Sequence, residues 1–186
     1  MTSEPLFTNI QDIDDRIIVD LKYATTDNFT HQVIYDFTTA IARTPTAKKL
    51  GIAAQLLADQ GYRLKVWDAY RPVSAQKKLF DVFPDPNWVL PPNPNKSHQK
   101  GVTFDLTITD MAGNELPMQS PFDAFGDSAR RNFHREPAIE HNYQLLNNAM
   151  TAAGFIGYSE EWWDYRDSNM DEMGPASADP NDFVHK

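Results

Sequence analysis

The chain has 186 residues, a formal net charge of −9 and no cysteine. The length predicts one domain, spanning residues 1–186, that is large enough to bury a full core. The acidity argues against nucleic acid and anionic membranes as partners, because both require a basic surface, and the lack of cysteine excludes disulfides, thiolate nucleophiles and Cys-ligated zinc.

The first half of the chain predicts two strands and two helices. Ile, Val and Leu concentrated in residues 16–25 indicate a strand. A Thr-Pro pair and a terminal Gly bound a predicted helix over 44–61, since Pro favours the first helical position and Gly the end. Alternating apolar and basic residues over 62–66 predict a half-buried strand, which leads into Asp-Ala-Tyr-Arg-Pro at 68–72. A short helix is expected over 73–82.

The second half predicts a loop, a strong strand, a helix and a final extended segment. Five prolines place residues 83–96 in a loop. Strict alternation over 102–109 is the clearest strand signal, and Asp105 lies on its polar face. A helix closes at Gly154, and residues 155–163 are expected to be extended. Because strands and helices do not alternate strictly, we predict an α+β fold: an antiparallel sheet with helices packed on one side.

An imidazole and a carboxylate seven residues apart form the first candidate site. His98 follows the loop and Asp105 lies on the predicted strand. This spacing is too long for neighbours on one regular strand, but a bend at Gly101 would bring both side chains to one point. Taken alone, such a pair is more often two unrelated surface residues.

Two further carboxylates, Glu161 and Asp164, flank the pair Trp162-Trp163. Bulky aromatics beside a carboxylate can exclude water and raise its pKa, as a general base requires. The alternative is that the tryptophans are core residues and the acids lie on a solvated edge. Together with His98 and Asp105, these carboxylates provide the groups of a metal hydrolase.

Two charged residues lie at the ends of predicted elements. Arg71 follows a strand and is suited to hold a carboxylate or a developing oxyanion, although a structural ion pair is the commoner role of a lone Arg. Asp123 lies in a loop between two phenylalanines, where it could bind an ammonium group or cap the loop.

Four blocks, in this order along the chain, resemble the D-alanyl-D-alanine dipeptidases, zinc peptidases related to D,D-carboxypeptidases and to the hedgehog fold. The blocks are residues 68–72, residues 97–105, residues 118–125 around Phe-Asp, and residues 161–163. The resemblance implies a D,D-peptidase/hedgehog-like α+β fold and a metallopeptidase domain. It also implies hydrolysis of D-Ala-D-Ala, a small D,D-dipeptide, in the turnover of cell-wall precursors.

The family pattern also implies roles for individual residues. His98 and Asp105 would be zinc ligands, and Glu161 would be the base that activates the attacking water. Arg71 would stabilise the tetrahedral oxyanion.

The substrate end would involve three residues. Ser97 and Asp123 would hold the free amino group of the dipeptide, and Tyr70, from the first block, would line the substrate site. An acid at a closed end of the site would select dipeptides over longer chains.

One departure from the family pattern affects the metal site. Where the family has Glu-x-x-His, this chain has Glu161-Trp-Trp-Asp164, so the third ligand would be Asp164. A His/Asp/Asp set is harder than His/Asp/His, so we expect one Zn²⁺ per chain with Mn²⁺ or another divalent ion as a competitor. A working variant, an altered metal preference and a lost activity all remain open.

Two other functions also remain open. The chain could be a non-catalytic metal- or ligand-binding domain on the same scaffold, or a D,D- or L,D-carboxypeptidase acting on peptidoglycan stem peptides. The N-terminus lacks a basic region followed by an apolar stretch, and no apolar run approaches the length of a membrane span, so we expect a cytoplasmic protein. The oligomeric state is left open, a homo-oligomer included.

Overall fold

The computed structural model describes residues 3–185, which form a mixed α+β fold. These residues contain seven strands: β1 (Phe7–Asn9), β2 (Ile18–Val19), β3 (Ile41–Arg43), β4 (Tyr62–Asp68), β5 (Thr103–Asp110), β6 (Phe155–Gly157) and β7 (Asp164–Asp167). They also contain five α-helices: α1 (Ile10–Ile13), α2 (Thr44–Ala58), α3 (Val73–Val82), α4 (Ser97–Lys100) and α5 (Pro137–Ala152). None of the helices in this range combines the length and the apolar character that a bilayer crossing requires.

Five strands form the main sheet, in the order β2-β4-β5-β7-β6, and β1 pairs with β3 in a separate two-stranded sheet. The pairs β4–β5, β5–β7 and β6–β7 are antiparallel, whereas β2 is parallel to β4. The prediction of a wholly antiparallel sheet is therefore wrong at this edge. The chain leaves β2 and returns to β4 through α2, and a crossover of this kind is what parallel neighbours require.

The two long helices pack on each other and on the sheet. Helix α2 contacts α5 and β4, and α5 contacts β5 and β6. The residues of α2 that repeat at helical spacing are buried, as its sequence pattern predicts: Ala47, Leu50, Ala53, Ala54 and Leu57. This burial follows from an apolar stripe along one face of the helix.

The predicted boundaries hold for the long elements and fail for the short ones. Helix α3 and strand β4 lie where the sequence places them. The strand expected over 16–25 is reduced to the two residues of β2, followed by a 3₁₀ turn at Lys22–Ala24. The segment 155–163 holds β6 and then a connection, and β7 begins only at Asp164.

Candidate active site

Three buried carboxylates lie in a row across the centre of the main sheet. Asp68 on β4 is opposite Asp105 on β5, and Asp105 is in turn opposite Asp164 on β7. Directly paired residues on neighbouring strands point to the same face. All three are almost fully buried. Because an unpaired buried carboxylate is very costly, each must have a cationic or polar partner.

Asp68 is paired with Arg71, which lies in the loop between β4 and α3. The two side chains form a buried ion pair, and Tyr35 donates its hydroxyl hydrogen to the other Asp68 oxygen at 2.6 Å. The Arg71 guanidinium also donates to the Tyr35 hydroxyl at 3.1 Å and to Gln76 at 2.7 Å. These contacts fix the guanidinium in one orientation at the wall of a cleft of about 560 Å³. Arg71 therefore forms a structural ion pair, which is the commoner role of a lone arginine, and it also lines the candidate site.

His98 and Asp105 meet because the chain bends at Gly101, as the sequence analysis predicts. His98 lies in the one-turn helix α4, and Gly101 ends this helix with φ 73°. A Cβ atom at position 101 would come within 2.8 Å of the Phe7 ring, so both the backbone conformation and the space favour glycine. The His98 Nε2 atom then lies 3.3 Å from Asp105 Oδ2.

The surroundings of this pair fit a divalent metal ion. Two ligands of a tetrahedral zinc, with bonds of about 2.0–2.1 Å, lie about 3.3 Å apart. The His98 Nδ1 atom is 2.9 Å from the Ala69 carbonyl oxygen, a contact that leaves Nε2 free as a ligand when Nδ1 carries the hydrogen. Asp105 Oδ1 is buried and has no hydrogen-bond partner among residues 3–185. A buried carboxylate oxygen without a donor is suited to bind a cation.

Glu161 lies beside this pair, in the connection between β6 and β7. Its carboxylate, with those of Asp105 and Asp164, forms a set of oxygen atoms that all lie within 4.8 Å of one another. Burial, followed by the charges of Asp105 and Asp164, raises the pKa of Glu161 well above its usual value. A cation bound here would lower that pKa again, because it favours the ionised form.

Asp123 lines the cleft as well. It has φ 56°, and its carboxylate accepts a hydrogen bond from the Tyr23 hydroxyl. Burial, with a further contribution from Asp105, raises the pKa of Asp123 to about 8. Ser97, at the start of α4, lines the same cleft. An acid held in the wall of the cleft is placed to meet an ammonium group, which would keep it ionised.

Comparison with known proteins fits this geometry. A family model described as D-ala-D-ala dipeptidase matches residues 3–174. A D-alanyl-D-alanine dipeptidase from Escherichia coli (strain K12) is 39% identical over 153 residues, covering 79% of this chain and 77% of the relative. The chain belongs to the D-alanyl-D-alanine dipeptidase family. The recognition from the four sequence blocks is thereby confirmed, as is the enzyme class.

Other similar proteins carry related names. A D-alanyl-D-alanine dipeptidase from Enterococcus faecium is 32% identical over 190 residues, covering 86% of this chain and 90% of the relative. A solved structure of the vancomycin resistance D,D-pentapeptidase VanY in complex with Zn(II) is 16% identical, covers 74% of this chain and 78% of that chain, and has a TM-score of 0.45.

The departure from the family pattern at Asp164 has a visible structural consequence. Asp164 accepts a hydrogen bond from Thr103 at 3.2 Å and forms an ion pair with Arg166 at 3.2 Å. Two sets of ligand atoms lie within 4.8 Å of one another: Asp68, His98 and Asp105 in one, and Asp105, Glu161 and Asp164 in the other. Among residues 3–185 no such set includes both His98 and Asp164. Asp105 is therefore close to both His98 and Asp164, but the three predicted ligands do not surround one point.

The structure places Tyr70 away from the cleft. Its ring packs against Phe7 and Ile41, and its hydroxyl accepts a hydrogen bond from the Ala178 backbone at 3.2 Å. This packing does not support the predicted role of Tyr70 in substrate binding. The other predicted site residues line the cleft together: Arg71, Ser97, His98, Asp105, Asp123, Glu161 and Asp164.

Several residues of the site have no signal in the sequence. Tyr23 and Tyr35 reach the site from a segment far from the four blocks, and only the fold brings them to Asp123 and Asp68. Arg166 is different. It lies two residues after Asp164, a spacing that puts both on one face of a strand, and this signal is lost if the strand is assumed to end at 163.

Proposed function

We propose that this chain hydrolyses D-Ala-D-Ala to two D-alanines, with one divalent metal ion held by His98, Asp105 and Asp164. Membership of the family supports the dipeptidase activity. The observation that carries the proposed metal site is the 3.3 Å approach of His98 Nε2 to Asp105 Oδ2, next to a buried Asp105 oxygen that has no donor. Zinc is the expected ion, and the additional carboxylate of Asp164 makes manganese the main competitor.

The residues around the metal position have complementary roles in this reaction. A bound divalent ion lowers the pKa of a water molecule and polarises a carbonyl group. Glu161 removes the proton from the attacking water and later transfers a proton to the leaving amine. Arg71, held rigid by Asp68, Tyr35 and Gln76, donates to the oxygen that gains negative charge in the transition state.

Recognition of a dipeptide follows from Asp123 in the wall of the cleft. Asp123 forms an ion pair with the free ammonium group of the substrate, and Ser97 adds a hydrogen bond. A peptide extended at its N-terminus lacks this charge and would have to displace Asp123 from its hydrogen bond with Tyr23. This arrangement favours dipeptides over the stem peptides that a carboxypeptidase would use.

The proposal also covers the domain, the cellular compartment and the partners of the protein. Residues 1–186 form one metallopeptidase domain, whose sheet and two packed helices correspond to the D,D-peptidase/hedgehog-like fold. The enzyme acts in the cytoplasm on small cell-wall precursors. It needs neither nucleic acid nor a membrane as a partner.

The test is release of free D-alanine from D-Ala-D-Ala by metal-stripped protein, before and after addition of Zn²⁺ or Mn²⁺. We expect release that depends on the metal, and little release from N-acetyl-D-Ala-D-Ala because the ammonium group is blocked. Glu161→Gln should abolish release, whereas Glu160→Gln, a matched change at a neighbouring residue that pairs with Arg130, should not. No release from folded protein with either metal would refute the proposal.

One observation favours a second candidate, a non-catalytic metal- or ligand-binding domain. The ion pair with Arg166 occupies the carboxylate of Asp164, which stands where the family pattern has its third ligand, a histidine. In that case the protein would bind a metal ion or a D,D-dipeptide without releasing D-alanine.

A further inference from the structure

Asp164, like Asp68 at the other end of the row, is paired with an arginine, here Arg166. Arg166 lies two residues further along β7, so both side chains project from the same face of the strand. Its Nε is 3.2 Å from Asp164 Oδ1 and its Nη2 is 3.5 Å from Oδ2, so the guanidinium faces the carboxylate side-on. The Tyr158 ring holds the guanidinium from the other side, with its centroid 4.1 Å from Cζ.

These contacts leave Asp164 little capacity for a further ligand. Oδ1 receives hydrogen bonds from both Thr103 and Arg166, and Oδ2 faces the Arg166 guanidinium. Asp105, in the centre of the same row, has one oxygen with no donor. The surroundings of the two carboxylates therefore differ: one oxygen of Asp105 has no hydrogen-bond donor, whereas Asp164 already has a cationic partner.

We propose that Arg166 is a built-in counter-ion that competes with the metal ion for Asp164 and so sets the metal affinity of this site. The proposal rests on the proposed metal-dependent function. A carboxylate in place of the family's imidazole adds one negative charge beside Asp105 and Glu161, and Arg166 offsets it in the metal-free protein. For Asp164 to act as the third ligand, its side-on pair with Arg166 must be broken.

The cost of breaking this pair should appear in the metal affinity. Arg166 is partly exposed, so its hydrogen bonds to Asp164 lie at the weaker end of the range for bonds to charged groups. Removal of the guanidinium should then tighten metal binding on the order of tenfold. Long-range electrostatics alone would also tighten binding of a cation, so the test needs a second arginine in the same cleft.

Arg130 provides that matched control. It lines the same cleft and pairs with Glu160 at 2.9 Å, without a contact to Asp164 among residues 3–185. Arg166→Met and Arg130→Met each remove one positive charge from the cleft. Only the first frees Asp164.

The experiment measures the dissociation constants of Co²⁺, by its visible absorption, and of Zn²⁺, by calorimetry, for metal-stripped wild type and both variants. We expect Arg166→Met to bind both ions on the order of tenfold more tightly than Arg130→Met. In an Asp164→His background, which is expected to keep zinc affinity, the two arginine variants should bind equally, because the competing carboxylate is gone. The metal-free Arg166→Met protein should also unfold at a lower temperature than Arg130→Met, since Asp164 is left buried without its cation.

Equal affinities of the two arginine variants, or weaker binding by Arg166→Met, would overturn the proposal while leaving the metal-dependent function intact. Binding in none of the proteins would overturn both. A difference that persists in the Asp164→His background would show that Arg166 acts on the site by another route and would also overturn the proposal.

Discussion

Removing the metal ion and raising the pH should destabilise this protein, because its cleft concentrates acids that are difficult to ionise when buried. Burial raises the pKa of Asp105 to about 6, although the nearby charge of His98 opposes this increase. Burial also raises the pKa of Asp123 to about 8. A group whose pKa is higher in the folded state stabilises the fold below its unfolded pKa. That stability is lost as the pH rises through the folded value. His98 changes stability in the same direction: burial opposes its protonation, but Asp105 and Asp68 outweigh burial and raise its pKa to about 9.

The contribution of Asp105 sets the scale of this effect. Its pKa rises from 3.8 to about 6, and each unit corresponds to 1.36 kcal/mol, so ionisation should cost about 3 kcal/mol between pH 4 and pH 6. Asp105 is 4% exposed, so little solvent screening reduces this figure. Asp123 and His98 extend the loss to higher pH. Since a typical domain is stable by about 5–15 kcal/mol, the free energy of unfolding should fall by a large fraction.

Urea unfolding between pH 4.5 and pH 8, with a chelator or with saturating Zn²⁺, measures this dependence. With the chelator, the free energy of unfolding should fall steadily as the pH rises. With Zn²⁺ it should fall less or rise, because the ion favours the ionised carboxylates and stabilises the folded state by mass action. In the metal-free protein, Asp105→Asn should make the fall below pH 6 shallower without removing it, because Asp123, with its pKa raised to about 8, contributes over the same range. A free energy of unfolding that stays constant or rises with pH in the metal-free wild type would refute the reasoning.

Three further predictions concern single side chains. Asp164→Ala should remove the metal and the D-alanine release together, whereas Asp164→His should keep or raise zinc affinity; full metal content in the alanine variant would show that Asp164 is not a ligand. Gly101→Ala should lower the free energy of unfolding in urea by about 1–3 kcal/mol, because residue 101 has φ 73° and its added Cβ would lie too close to Phe7. The variant should also bind the metal more weakly, because α4 must move. An unchanged free energy of unfolding and an unchanged metal affinity would contradict this explanation of the bend. Tyr70→Phe should lower stability by about 1 kcal/mol through the lost contact with Ala178 and leave D-alanine release unchanged; a large fall in release would restore its predicted substrate role.

The sequence predicts those parts of the fold whose periodicity extends over several turns or strand pairs. Alternation locates β4 and β5, and helical spacing locates α2, α3 and α5 within a few residues. Strands of two or three residues leave no such pattern, so β1 and β3 were missed and β2 was drawn too long. The direction of β2 is not encoded locally either, because it depends on the crossover through α2.

The candidate site was predictable where its residues are close in sequence or belong to the four blocks. The bend at Gly101 is such a case, because a glycine between a loop and a strand indicates a place where the chain can turn towards His98. Tyr70 shows the limit of this approach. It belongs to the same block as Arg71, but its neighbours in space, Phe7 and Ala178, come from the two ends of the chain. No local sequence pattern indicates which distant residues such a side chain will contact.

The register of the sheet explains both the site and its departure from the family pattern. Three neighbouring strands bring Asp68, Asp105 and Asp164 into one row, and a buried row of like charges is stable only if cations are interleaved. Arg71 and Arg166 neutralise the two outer carboxylates. The central carboxylate has His98 on one oxygen and no donor on the other. The carboxylate oxygen without a donor is therefore at the centre of the row, on Asp105, and this is where a divalent ion would bind.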